Sequence, residues 1–200
     1  GVPLCEELVG TDGFAGESSL LYHRGSPSAL CDVRALAGDE PLAIADHPVL
    51  PRHLRTGDLP DGGDPVRGRH PVLANDDVCL SWVASTDDGP LFRDAIGDQV
   101  VYVQSGTARL DSPFGRLAVH GGDYVVIPRA TAHRWLRSSA DPLRLYAIEA
   151  ASHIAPPRRY LSRNGQHLEH APYCERDLHG PSERLLADGD DVEIYVKHRA

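Results

Sequence analysis

Short alternating segments between residues 78 and 150 constrain the fold of this chain more than any other feature of its sequence. Apolar and polar side chains alternate within each segment, and glycine or proline separates one segment from the next. This alternation is typical of half-buried β-strands, and regularly spaced turns favour antiparallel pairing. No segment has the periodicity of a helix over several turns. We therefore predict an all-β fold with little helix, an antiparallel sandwich or barrel. The predicted strands are Val78–Ala84, Gln99–Gln104, Thr107–Asp111, Arg116–His120, Tyr124–Pro128, Thr131–Leu136 and Leu143–Ala150.

The regions on either side of this block are predicted to be long proline-rich arms. We assign residues 1–75 to an N-terminal arm with short strands, 76–150 to the barrel, and 151–200 to a second arm that ends in a strand over 190–197. The chain does not begin with methionine, and alternation continues almost to its last residue. We therefore expect a piece of a longer protein, with a complete single domain as the alternative.

Composition restricts the partners that the chain is expected to have. Its 20 basic and 29 acidic residues give a net charge of −9, which disfavours binding to nucleic acid or to an anionic membrane. No apolar run approaches the roughly 20 residues of a membrane span. The four cysteines form neither a CxxC pair nor a disulfide framework, so we expect free thiols, a buried Cys79 and a cytoplasmic location.

The segment from Gly122 to Arg137 resembles the second sequence motif of cupins, G(x)5PxG(x)2H(x)3N. Gly122, Pro128 and His133 match the motif, whereas Ala130 replaces its second glycine and Arg137 replaces its asparagine. In cupins that bind metal, this histidine and ligands from neighbouring strands hold a divalent ion. The barrel is therefore predicted to be cupin-like.

The first cupin motif, G(x)5HxH(x)3,4E(x)6G, is absent. Gln99 stands at its glutamate position, and one histidine cannot hold iron or zinc. Asp94 and Asp98 could add carboxylates, but we favour a degenerate, metal-free cupin in which His133 is packed and hydrogen-bonded. The histidine positions of the motif are occupied, depending on the spacer, by Phe92 and Asp94 or by Arg93 and Ala95.

The remaining histidines do not form a recognisable site. His167 and His170 lie in a proline-flanked segment without helical periodicity, so a surface or interface cluster is favoured over a metal site. His23 follows an apolar segment and is a candidate to face a partner subunit. The chain has no GxSxG motif and no evident Cys–His pairing. We therefore assign no catalytic, cofactor-binding or metal-binding residue.

Seven segments, which follow one another over almost the whole chain, resemble bacterial homogentisate 1,2-dioxygenases. Arginine supplies 19 of the 20 basic residues, a bias typical of GC-rich genomes of the actinobacterial type. The resembling segments are Gly13–Arg24, Asn75–Val78, Gly97–Asp98, Gly122–Pro128, His133–Trp135, Pro156–Ser162 and Leu168–Asp177.

This resemblance implies an activity whose metal lies outside the chain. Family members cleave the ring of homogentisate with O₂ to give maleylacetoacetate in tyrosine and phenylalanine catabolism. They use a non-haem Fe(II) held by two histidines and a glutamate, and they assemble as trimers or hexamers. The ligand motif, of the type HRNxxxE, belongs to the C-terminal half of the family and does not occur here. We therefore expect the N-terminal, degenerate cupin part, which by itself binds no iron.

Two alternatives to this interpretation remain open at the level of sequence. The chain is either a stand-alone metal-free cupin with a binding or assembly role, or part of a dioxygenase for another phenolic substrate. The resemblance also leaves open whether His23, His153 or His170 contacts the active site of a neighbouring subunit.

Overall fold

Antiparallel strands dominate the computed structural model, which describes residues 3–10, 13–16, 18–36, 51–185, 189 and 191–198. Short 3₁₀ turns are the only helical elements among these residues, and none is long enough to span a membrane. The 3₁₀ turns are Gly13–Ala15, Thr56–Asp58, Arg158–Tyr160 and Glu175–Asp177. The strands are β1 (Cys5–Gly10), β2 (Ser18–His23), β3 (His70–Ala74), β4 (Val78–Ser85), β5 (Phe92–Asp94), β6 (Gln99–Ser105), β7 (Thr107–Ser112), β8 (Gly115–His120), β9 (Tyr124–Ile127), β10 (Arg134–Arg137), β11 (Leu143–Ala150) and β12 (Tyr195–Lys197).

Two antiparallel sheets share one apolar core. The larger sheet has the strand order β3-β4-β11-β6-β9, and the smaller has the order β10-β7-β8. Leu145 pairs with Val83 on one side and Val103 on the other, and all three side chains are buried in the core. The smaller sheet contributes Trp135 and Val119 to the same cluster. The predicted all-β, cupin-like sandwich is therefore confirmed, and burial of these apolar side chains is its main stabilising term.

The segments outside the two sheets form short pairings of their own, and one of them bridges to a sheet edge. β12 lies parallel to β5, and the backbone of Glu183 bridges to Arg116 on the edge strand β8. Covering an exposed edge in this way removes unpaired backbone groups that would otherwise recruit another strand. β1 and β2 form a separate antiparallel pair.

Two local predictions need correction. The last strand extends only over Tyr195–Lys197, because its partner β5 is equally short; residue 190 lies outside the described residues. Cys79 is half-buried rather than buried, since it lies near the start of β4 beside a pocket. All four cysteines are free thiols, as predicted.

Candidate functional site

At one end of the sandwich the inward-facing positions change from apolar to polar. On β6, Gln99 continues the inward row of Val101 and Val103, and on β11 Glu149 continues the row of Leu145 and Ala147. Gln99 and Glu149 are direct cross-strand neighbours. The polar side chains gathered at this end are here called the mouth: Arg69, Asp94, Gln99, His133, Glu149 and Lys197.

Arg69, which precedes β3, is the most enclosed cation of the mouth. Its side chain is 6% exposed, and Nη1 lies 3.3 Å from Oε1 of Glu149. Nη1 and Nη2 both donate to Oε1 of Gln99 at 3.4 Å, and Nε donates to the carbonyl oxygen of Pro65 at 2.9 Å. A carboxylate, an amide and a backbone carbonyl thus hold the planar guanidinium in one orientation.

Lys197 is the second cation of the mouth, and its side chain is 41% exposed. Because β12 is parallel to β5, Lys197 lies beside Asp94 in the register. Its Nζ lies 2.9 Å from Oε1 of Glu149 and 3.6 Å from Oδ2 of Asp94. Asp94 also accepts hydrogen bonds from Nε2 of Gln99 at 3.1 Å and from the backbone of Ile96 at 2.8 Å. Two carboxylates therefore face two cations, and their charges balance.

The charge states of these groups follow from competition between burial and pairing. Burial raises the pKa of Glu149, but the neighbouring Arg69 and Lys197 outweigh it and hold that pKa below its ordinary value. Burial lowers the pKa of Lys197, but Glu149 and Asp94 outweigh it and raise that pKa overall. Both groups are consequently charged at neutral pH.

His133 lies at the inner side of the mouth and is fully buried. Its Nδ1 lies 3.0 Å from the carbonyl oxygen of Thr131, and its ring meets the ring of Phe92 edge to face. Burial lowers the pKa of His133 to about 4, so the imidazole is neutral and its Nδ1–H donates to Thr131. His133 is therefore packed and hydrogen-bonded, as predicted, although its Nε2 has no hydrogen-bond partner within the described part of the chain.

The structure brings together the residues that stand at the metal-ligand positions of the two cupin motifs. Phe92 and Asp94 face inward and are buried, whereas Arg93 between them points to Glu7, at 3.7 Å. The four positions thus supply a phenyl ring, one carboxylate, one amide and one imidazole. Among the described residues, no group of three or more histidine, cysteine, aspartate or glutamate side chains is arranged to hold a metal. These side chains do not fit a divalent metal ion.

Asp98 is a buried carboxylate that turns away from the mouth. Its Oδ1 accepts a hydrogen bond from the backbone of Arg129 at 2.7 Å. Its Oδ2 accepts from Nδ1 of His153 at 2.6 Å and from the backbone of Ile154 at 2.7 Å. A Cβ on Gly97 would lie only 2.0 Å from the carbonyl oxygen of Ala150, so glycine is required for this close approach. Asp98 therefore holds the half-exposed imidazole of His153 in a fixed orientation.

The other histidines singled out in the sequence are not brought together. His23 bonds to Glu7 within the β1–β2 pair, at 2.8 Å. The rings of His167 and His170 pack instead against Tyr173 and Tyr160, with centroid distances of 4.9 and 6.3 Å.

Sequence reasoning missed three members of the mouth, namely Arg69, Glu149 and Lys197. Only Glu149 has a local signal, because it is a charged residue at an inward position of an otherwise apolar row. Arg69 and Lys197 lie far apart along the chain and come together only through the pairing of β3 and β12 with their neighbours.

Solved structures of cupins are among those similar to this fold. A cupin-2 domain-containing protein from Shewanella frigidimarina is 18% identical over 41% of this chain and 78% of its own, with a TM-score of 0.37. KdgF from a Halomonas species is 21% identical over 44% of this chain and 84% of its own, with a TM-score of 0.38.

A longer relative is similar in sequence, whereas no family model matches the chain. This relative, from Saccharolobus solfataricus, carries the description "Putative dioxygenase". It is 30% identical over an alignment of 195 residues, and the alignment covers 96% of this chain. The chain spans only half of the relative's own length (50%).

Proposed function

We propose that this chain is the N-terminal part of a homogentisate 1,2-dioxygenase, a ring-cleaving enzyme that uses non-haem Fe(II). In this proposal the iron is held by residues outside this 200-residue chain, and homogentisate and O₂ are the substrates of the intact enzyme. The protein acts in the cytoplasm as a homo-oligomer, in which this part supports assembly.

The sequence match along almost the whole chain is the observation that carries the proposal. The longer relative described as a dioxygenase aligns with 96% of the chain. Segments such as Gly122–Pro128 and Leu168–Asp177 resemble homogentisate dioxygenases in particular. The first of them includes β9 and leads directly to His133, so the resemblance includes residues that build the mouth.

The chemistry of the mouth supports a structural role for this part. A facial site for iron needs two histidines and a carboxylate with open positions beside them. The mouth offers one imidazole, and both of its carboxylates are already paired with cations. Its residues therefore stabilise the end of the sandwich, and no catalytic step is assigned to them.

Oxygen uptake by the intact gene product tests the proposal. After anaerobic loading with Fe(II), we expect homogentisate-dependent consumption of one O₂ per substrate. With ¹⁸O₂, both labelled atoms should enter a single ring-opened product, because a dioxygenase transfers both atoms to its substrate. The 200-residue chain, treated identically, is the matched control and should consume none.

Three outcomes would contradict the proposal. Uptake with a different dihydroxyphenyl compound, but not with homogentisate, would indicate a dioxygenase for another phenol. Absence of iron and of uptake in the intact gene product would favour a stand-alone binding or assembly protein. Uptake by the 200-residue chain alone would show that the iron site lies within it.

A further inference from the structure

We infer that the guanidinium of Arg69, held against the residue at the glutamate position of the first cupin motif, keeps a divalent metal ion out of the mouth. In this arrangement the site is not merely short of ligands. A permanent side-chain cation lies beside it and excludes a divalent ion. The inference concerns this chain's own residues and holds for either candidate function.

Position is the first argument. Phe92, Asp94, Gln99 and His133 correspond to the ligand positions of the two cupin motifs, and the structure places them at one end of the sandwich. Nη1 and Nη2 of Arg69 both donate hydrogen bonds to Oε1 of Gln99, the residue at the glutamate position of the first cupin motif. The cation thus contacts the side chain that would otherwise be a metal ligand.

Charge balance is the second argument. Asp94 and Glu149 neutralise Arg69 and Lys197, so this group of four charges carries no excess charge. A divalent ion would add two positive charges beside two fixed cations in a region of low dielectric constant. A guanidinium does not lose its proton in proteins, so Arg69 cannot make room for the ion by becoming neutral.

The backbone before Arg69 is the third argument, because it is built to hold this side chain in place. Oδ1 of Asp64 accepts hydrogen bonds from the backbones of Val66 and Arg67 at 2.9 and 2.8 Å. The N–H of Gly68 donates to the carbonyl oxygen of Asp64 at 3.0 Å, and a Cβ on Gly68 would lie 2.8 Å from that oxygen. This closed turn presents the Pro65 carbonyl to Nε of Arg69.

Restoring the ligands with and without Arg69 tests the inference. One variant carries Phe92→His, Asp94→His and Gln99→Glu, and its matched partner carries Arg69→Ala in addition. Both are titrated with Co(II) and followed by visible absorption, which reports coordination directly. We expect one Co(II) per chain in the partner lacking Arg69, and binding roughly a hundredfold weaker where Arg69 is retained. Equal affinity in the two variants would overturn the inference.

The unmodified 200-residue chain provides a second measurement that does not depend on the folding of these variants. We expect Co(II), Zn(II) and Fe(II) to leave its thermal midpoint unchanged, because a ligand raises that midpoint only if it binds the folded state. A midpoint that rises with metal, and no longer does so in the His133→Ala variant, would overturn the inference. Arg69→Ala alone should also show no metal-dependent rise, because the remaining side chains of the mouth are too few to hold a divalent ion; the gain is expected only where the ligands are restored as well.

Discussion

The apolar interior and the mouth adjoin each other, but they are assembled in different ways. The interior is buried throughout, whereas the mouth includes the 41% exposed side chain of Lys197. The interior consists of alternate side chains from consecutive strands, such as Val101 and Val103 on β6. The mouth joins residues as distant in the chain as Arg69 and Lys197, through specific distances to Glu149. The two regions are therefore stabilised in different ways. The stability of the interior depends on the apolar area that is buried, whereas that of the mouth depends on every charged or polar group having its partner.

Loss of a large core side chain is expected to have the largest effect on stability. Trp135 is fully buried in the cluster shared by the two sheets. Trp135→Ala should lower the free energy of unfolding by about 3–5 kcal/mol, from lost burial and from the cavity left behind. Urea unfolding measures this loss. Phe114→Ala, in the exposed turn between β7 and β8, is the control and should change little; a loss below about 1 kcal/mol for Trp135 would contradict the description of the core.

Removal of one buried charge should come next. Arg69→Met leaves Glu149 buried with only Lys197 beside it, so we expect a loss of about 3 kcal/mol in urea unfolding. The double variant Arg69→Met/Glu149→Leu should recover most of this loss, because Lys197 keeps Asp94 as its partner. If the loss of stability in the double variant equalled the sum of the losses in the two single variants, the two residues would not be coupled.

This difference in assembly also determines how much could be predicted from the sequence. The strands and the sandwich follow from local alternation and turns, so β6, β8 and β11 lie close to where the sequence places them. Phe92, Gln99 and His133 could be aligned with a motif, which predicts a defective metal site. No local pattern indicates that cations lie beside it, because Arg69 and Lys197 reach it only through long-range strand pairing.

The buried neutral imidazole should make stability depend on pH. The pKa of His133 falls from 6.5 to about 4 on burial, so between these values the unfolded chain binds a proton that the folded chain does not. The contribution of His133 to stability is therefore complete above pH 6.5 and is lost as the pH falls towards 4. Relative to a His133→Gln variant, the unmodified chain should lose about 2 kcal/mol between pH 7 and pH 5, measured by urea unfolding at each pH. Parallel pH profiles for the two proteins would show that His133 is accessible to protons in the folded state.

An exposed ion pair provides the smallest expected effect and the sharpest contrast with the mouth. Nη2 of Arg144 lies 3.2 Å from Oδ2 of Asp61, closer than Arg69 lies to Glu149, but the two side chains are 36% and 44% exposed. Water already solvates both charges, so distance alone does not determine the energy of the pair. Arg144→Met should cost less than about 1 kcal/mol, and the cost should shrink further in 1 M salt, whereas the loss for Arg69→Met should change little with salt. If salt reduced both losses by the same proportion, solvent would reach the Arg69–Glu149 pair as freely as it reaches the surface, although these two side chains are only 6% and 13% exposed.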